Sequence, residues 1–156
     1  MWAPVLSPDG KWLAYISTDS GTSELYVSPF PQVDGDRIQI STDQATSPMW
    51  SRDGKELFYV GGFIDLNRRL MAATVQSTNG KFNVISIAPV WESTLKALHY
   101  HVPGSLARPI GISPDGERFL MLKDFIDENV GARSERVYIA ENWTEELKRL
   151  VPTARK

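Results

Sequence analysis

Apolar residues along this chain are grouped in short runs that are separated by polar turns. The runs at 57–60 (Leu-Phe-Tyr-Val) and 119–122 (Phe-Leu-Met-Leu) are apolar at consecutive positions rather than at alternate ones. Short continuous apolar runs bounded by turn residues are typical of strands that are covered on both faces. A two-sheet sandwich would leave one face of each strand in water, so we rank that architecture second.

A turn motif recurs three times, as Ser-Pro-Asp-Gly at 7–10, Ser-Arg-Asp-Gly at 51–54 and Ser-Pro-Asp-Gly at 113–116. Asp-Gly between two apolar runs is a strong hairpin signal, because Gly adopts positive φ easily and the Asp side chain bonds to nearby backbone amides. A calcium site would need several oxygen ligands at regular spacing, so we favour a structural role. The predicted structural turn residues are Asp9, Gly10, Asp53, Gly54, Asp115 and Gly116.

Each turn lies between predicted strands that repeat along the chain. First strands are predicted at 3–7, 47–51 and 109–113, second strands at 11–17, 55–60 and 117–123, third strands at 24–28, 69–75 and 136–140, and fourth strands at 37–41 and within 82–91. Four strands in about 44 residues are typical of a propeller blade. The sequence therefore predicts an all-β fold with three four-stranded-type blades, half of a six-bladed propeller. Residues 1–156 are predicted to be a single propeller segment. The segment consists of blade one at 1–44, blade two at 45–105, blade three at 106–141 and a C-terminal helix at 142–151.

The predicted C-terminal helix replaces the fourth strand of the third blade. Asn142 can cap its start, Glu145 completes a pattern similar to a capping box, and Pro152 ends it. One apolar stripe is formed by Trp143, Leu147, Leu150 and Val151. We expect this stripe to cover the sheet edge that the absent strand leaves open.

Composition and charge narrow the class of protein. The 156 residues include 17 Lys and Arg against 19 Asp and Glu, a net charge of −2, without a basic block, so nucleic acid is not an expected partner. Cys is absent, which excludes disulfides and thiolate sites. No apolar run approaches the roughly 18 residues of a membrane span. Residues 1–5 do not resemble a signal peptide, so we expect a cytoplasmic chain or a segment of a longer, membrane-anchored parent that lies outside the cytoplasm.

Three segments resemble a known superfamily. The Ser-Pro-Asp-Gly-Lys-x-Leu-Ala-Tyr unit, the Tyr-Val-x-Pro-Phe-Pro segment at 26–31 and the segment 41–50 are similar to the Asp-Gly repeats of TolB-like β-propellers. The ending at 141–152 resembles that of propellers at the C-terminus of bacterial membrane-anchored serine/threonine kinases and related regulators. The resemblance implies a sensory or protein-interaction module without catalysis of its own. Related propellers also gate prolyl oligopeptidases, so fold alone does not determine function.

Three blades are fewer than the roughly four to eight of a closed propeller. The outer faces of the first and last sheets are predicted to be apolar and to need a partner. Two copies meeting head to tail would form a six-bladed ring, because each interface would imitate an ordinary contact between blades. We therefore expect a homodimer; a ring of three copies and a fragment of a longer propeller are the alternatives.

The long loops are predicted to lie on one rim of the propeller, and rigid scaffolds often carry their binding residues on such loops. We expect a protein, peptide or small-molecule ligand at this rim. The candidate binding residues are Asp65, Arg68, Trp91, His99, Tyr100, His101 and Asp127.

His99 and His101 are the chain's two histidines and share one side of an extended segment. Together with Asp65 or Asp127 they could hold Zn²⁺ or Mn²⁺, and an alternative function is a metal-assisted lyase or hydrolase. No spacing identifies the third ligand, so we expect no metal, no cofactor and no catalytic residue.

Overall fold

The computed structural model of this chain describes residues 1–62, 68–78, 80–90, 110–113, 115–116, 118–126 and 133–141. Within 121–126 and 133–141 the description concerns the backbone. The predicted helix at 142–151 lies outside the described residues. No helix in the described part of the chain has the length and hydropathy of a membrane span.

The described residues form three antiparallel sheets. The first contains β1 (Trp2–Leu6), β2 (Trp12–Ser17), β3 (Glu24–Pro29) and β4 (Ile38–Gln39). The second contains β5 (Ala45–Trp50), β6 (Glu56–Gly61), β7 (Arg69–Thr78) and β8 (Lys81–Pro89). The third contains β9 (Ile110–Ile112), β10 (Arg118–Ile126) and β11 (Arg133–Glu141). Consecutive strands are neighbours in every sheet, which confirms the predicted all-β class.

The three Asp-Gly turns share one set of hydrogen bonds. The glycines have φ of 72° at Gly10, 70° at Gly54 and 78° at Gly116. In the first turn, the Ser7 hydroxyl donates to Asp9 Oδ1 at 2.6 Å and accepts the backbone N–H of Trp12 at 2.9 Å. The second and third turns repeat both bonds from Ser51 and Ser113. The serine that begins each motif therefore stabilises the turn together with Asp-Gly.

Strand β6 of the second sheet is buried on both of its faces. Leu57 and Tyr59 belong to an apolar cluster that the second sheet shares with the first. Phe58 and Val60, the alternate residues of β6, belong to a second cluster with Phe119 of the third sheet. This explains why apolar residues are consecutive in β6, as the sequence predicted.

The far face of the first sheet is more polar than expected. It carries Tyr15 and Tyr26, whose rings stack with centroids 6.1 Å apart, and Ser28, whose Oγ lies 3.2 Å from the Tyr15 hydroxyl. The Arg37 guanidinium carbon lies 4.7 Å above the Tyr26 ring. Tyr15 and Tyr26 are only 3% and 4% exposed within one chain. The expectation of a bare apolar face is therefore wrong for this sheet.

The carboxyl group of Glu56, at the start of β6, is the basis of a pH prediction. Burial, with a contribution from the nearby Asp53, raises its pKa from 4.5 to about 7. Between these values the folded chain holds a proton that the unfolded chain releases, so stability falls as pH rises from 4.5 to 7. At pH 8, Glu56→Gln removes a partly buried charge and is expected to stabilise the chain. The expected gain is only about 1 kcal/mol, because the side chain is partly open to solvent. At pH 5, where Glu56 of the folded chain is protonated, the substitution is expected to have little effect.

Urea denaturation of Glu56→Gln and the unmodified chain at pH 5 and pH 8 measures this difference. The hydrogen bonds that lower the pKa of Asp9 leave that group ionised at both pH values, so it does not contribute to the comparison. Equal differences between the two chains at pH 5 and pH 8 would contradict the assignment.

Candidate functional site

The antiparallel order gives the sheets two opposite rims. The Asp-Gly turns and the β7–β8 turn form one, which we name the turn rim. The β2–β3 connection, the β4–β5 segment and the adjoining ends of β6 and β7 form the other, which we name the loop rim. Most of the predicted binding residues lie outside the described residues: Asp65, Trp91, His99, Tyr100, His101 and Asp127. The remaining one, Arg68, precedes β7 on the loop rim, and burial lowers its pKa.

A notch of about 290 Å³ opens on the loop rim between the first and second sheets. Its wall includes the segment 40–44, which joins the two sheets, and Arg69 at the start of β7. Gly61 allows the close packing behind it, because a Cβ there would lie 3.1 Å from Tyr59 Cε2 and 3.3 Å from Met71 Cγ.

A buried carboxylate holds the joining segment in place. Glu24, at the start of β3, is 2% exposed. Its Oε1 accepts the Thr22 hydroxyl at 2.9 Å and the Gln44 backbone N–H at 3.2 Å, and its Oε2 accepts the Ser41 hydroxyl. The Ser41 oxygen also accepts the backbone N–H of Leu25 at 2.9 Å. The Glu24 side chain thus ties β3 to two residues of the notch wall.

Two further polar groups line the notch. Burial raises the pKa of Tyr59 to about 12, and the acids Glu24 and Asp43 add to the effect, so its hydroxyl stays protonated at neutral pH. The Oδ1 atom of Asp43 is buried and has no hydrogen-bond partner among the described residues. With the exposed Arg69, the notch offers a donor, an acceptor and a cation, a set that suits the binding of polar groups.

The described residues contain no group of three or more His, Asp or Glu side chains placed to hold a metal ion. His99 and His101, the predicted metal candidates, are not among those residues. Glu24, Asp43 and Tyr59 were not predicted as site residues, because they are far apart in sequence and no motif joins them.

A second hollow, of about 430 Å³, runs along the first strands of the three sheets. Its wall includes Leu6 of β1, Met49 of β5 and Ile110 of β9. Leu6 is 46% exposed there. First strands line the central channel of a propeller, so this hollow corresponds to one side of that channel.

Comparison with known proteins identifies the architecture. No protein-family model and no curated protein matches the chain. Among solved structures, it is similar to TolB from Acinetobacter baumannii, with 17% identity, a TM-score of 0.54, and coverage of 90% of this chain and 29% of that one. It is also similar to a candidate TolB from Agrobacterium tumefaciens, with 14% identity, a TM-score of 0.59, and coverage of 91% of this chain and 47% of that one. A third similar structure is an acylaminoacyl peptidase from Pyrococcus horikoshii, with 17% identity, a TM-score of 0.55, and coverage of 86% of this chain and 22% of that one.

These similarities confirm that the sheets are blades of a β-propeller fold. The identities are low, so the likeness concerns the fold. The chain spans between 22% and 47% of the length of these structures. The predicted link to the propellers of membrane-anchored kinases stays a prediction.

Proposed function

We propose that this chain is a binding module without catalytic activity, which completes a six-bladed ring with a second copy and recognises a protein, peptide or small polar ligand at the loop rim. The notch supports the recognition part, because it places a hydrogen-bond donor, an acceptor and a cation between two sheets packed through a shared core. Rigid sheets that present polar groups at a rim are a common basis for binding.

The outer face of the third sheet carries the pairing part of the proposal. Phe119 is fully buried against the second sheet, and its neighbour Leu120, on the opposite face of β10, is 51% exposed. A blade in the middle of a propeller has such positions covered by the next blade. The exposed Leu120 supports a cover on this face, and a second copy is the cover in this proposal.

Ring closure also involves the first sheet of the partner. Its far face carries Tyr15 and Tyr26, which are buried within one copy and therefore add little apolar area to the proposed interface. The mass of the protein in solution therefore tests the proposal directly.

Light scattering at micromolar concentration is expected to give a mass near twice 17.5 kDa for the unmodified chain. Leu120→Asp is expected to lower the mass to that of one copy, because a carboxylate would be desolvated in the interface. Ile85→Asp is the matched control: Ile85 is 61% exposed on β8, away from this face, and the variant is expected to stay paired. A monomeric unmodified chain would reject pairing.

A further inference from the structure

A groove of about 470 Å³ lies on the turn rim, on the opposite side of the sheets from the notch. It lies beside the first two Asp-Gly turns, which pack side by side: a Cβ at Gly54 would lie 3.6 Å from Pro8 Cδ. The two carboxylates that line it, those of Asp9 and Asp53, therefore come from neighbouring turns.

Aromatic rings form the wall of the groove. The Phe82 ring lies 4.9 Å from that of Trp12 and 6.1 Å from that of Trp50, centroid to centroid, and is perpendicular to the latter. The indole N–H of Trp12 donates to Ser77 Oγ at 3.0 Å, and that of Trp50 donates to the Val5 carbonyl at 3.3 Å. Both N–H groups are engaged within the chain. Trp12 is buried, at 6% exposure, so the half-buried Trp50 is the indole that offers part of its carbon surface to a ligand.

The outer carboxylate oxygens differ between the turns. Asp9 uses Oδ1 for the Ser7 hydroxyl and the Lys11 backbone N–H. No salt bridge among the described residues involves Asp9, whereas Asp53 Oδ2 lies 3.4 Å from the ammonium of Lys55. The groove wall thus contains two carboxylates and the Lys55 ammonium. The Ser7 hydroxyl and, to a smaller extent, the charge of Lys11 lower the pKa of Asp9, but Lys11 forms no salt bridge with it among the described residues, so Asp9 Oδ2 is available to a cation.

In the third turn the equivalent oxygen accepts an arginine. There, Arg118 Nη2 donates to Asp115 Oδ2 at 3.0 Å, while Asp115 Oδ1 makes the same internal bond as in the other turns. An arginine within the chain therefore occupies, in the third turn, the position that is open in the first.

We propose that the groove binds an arginine side chain of a partner polypeptide, with the guanidinium paired to Asp9 Oδ2 and stacked against the Trp50 indole. A guanidinium fits this site because it is planar, always charged and able to pair with a carboxylate while lying on an aromatic face. The site is separate from the notch, so it would give the module a second binding surface.

Titration of the unmodified chain with a blocked Gly-Arg-Gly peptide, followed by amide and indole ¹⁵N chemical shifts, tests this proposal. Shifts are expected at the groove, and the isosteric citrulline peptide, which lacks the charge, is expected to bind at least about tenfold more weakly. Asp9→Asn is expected to weaken arginine binding by a similar factor, because asparagine preserves the turn but not the charge.

Asp115→Asn is the matched control, since its turn lies outside the groove; it is expected to leave the affinity unchanged. The citrulline comparison uses the unmodified chain and stays decisive if a variant folds poorly. Equal binding of the two peptides, absence of binding at millimolar peptide, or unchanged affinity in folded Asp9→Asn would each overturn the proposal.

Discussion

Replacing Phe58 with alanine is expected to lower the free energy of unfolding by about 4 kcal/mol. Phe58 is fully buried between the second and third sheets, and its ring meets that of Phe119 edge to face, with centroids 5.0 Å apart at 81°. Truncation removes this contact and leaves a cavity that two packed sheets cannot close without moving. Equilibrium urea denaturation, followed by tryptophan fluorescence, measures the loss.

Ile85→Ala provides the control for this measurement. Ile85 also belongs to a strand of the second sheet but is 61% exposed, so its truncation is expected to change the stability by less than about 0.5 kcal/mol. Similar losses for Phe58→Ala and Ile85→Ala would contradict the packing of the third sheet on the second.

Local chemistry explains why the turns could be predicted from the sequence. Asp-Gly between apolar runs has few alternative conformations, and each turn closes within six residues of chain, from Ser7 N to the Trp12 carbonyl in the first case. The role of the first serine was missed, although a signal was present. Ser7, Ser51 and Ser113 occupy the same offset in each copy, and each bridges the aspartate and a backbone amide.

The order of the strands follows the prediction from the sequence, but the β-bulges in β1 and β5 were not predicted. β1 and β5 each contain a register shift with a non-glycine residue at positive φ, 50° at Ala3 and 54° at Ser47. A proline follows each of them, and residues before proline normally favour extended backbone. The usual preference of a residue before proline therefore does not predict these β-bulges.

The candidate sites depend still more on tertiary structure. The notch joins Glu24 to Ser41 and Gln44 across two connections, and the groove joins two turns that are far apart in sequence. The length of the loops, which is a local property, predicts a binding surface at the loop rim. The sequence of the short turns predicts only a structural role for them. The pairing of Arg118 with Asp115 was not predicted either, because side chains three residues apart can also point away from each other.

Replacing Glu24 with alanine is expected to be the second most damaging change, at about 3 kcal/mol of unfolding free energy. The change leaves the buried Ser41 hydroxyl and the half-buried Gln44 backbone N–H without their acceptor. It also frees the segment 40–44, so the notch is expected to lose its shape. Urea denaturation measures the stability, and amide hydrogen exchange at 40–44 measures the local opening, which is expected to become faster than in the unmodified chain.

Asp19→Ala separates this effect from a general loss of negative charge. Asp19 lies on the same rim and pairs with Arg37, but both side chains are largely exposed, at 59% and 42%. Exposed ion pairs contribute little because water solvates both partners. We therefore expect Asp19→Ala to unfold close to the midpoint of the unmodified chain, with unchanged exchange at 40–44. If Glu24→Ala lost no more stability than Asp19→Ala, the carboxylate would not be holding the notch wall, and the polar set of Tyr59 and Asp43 would lack its support.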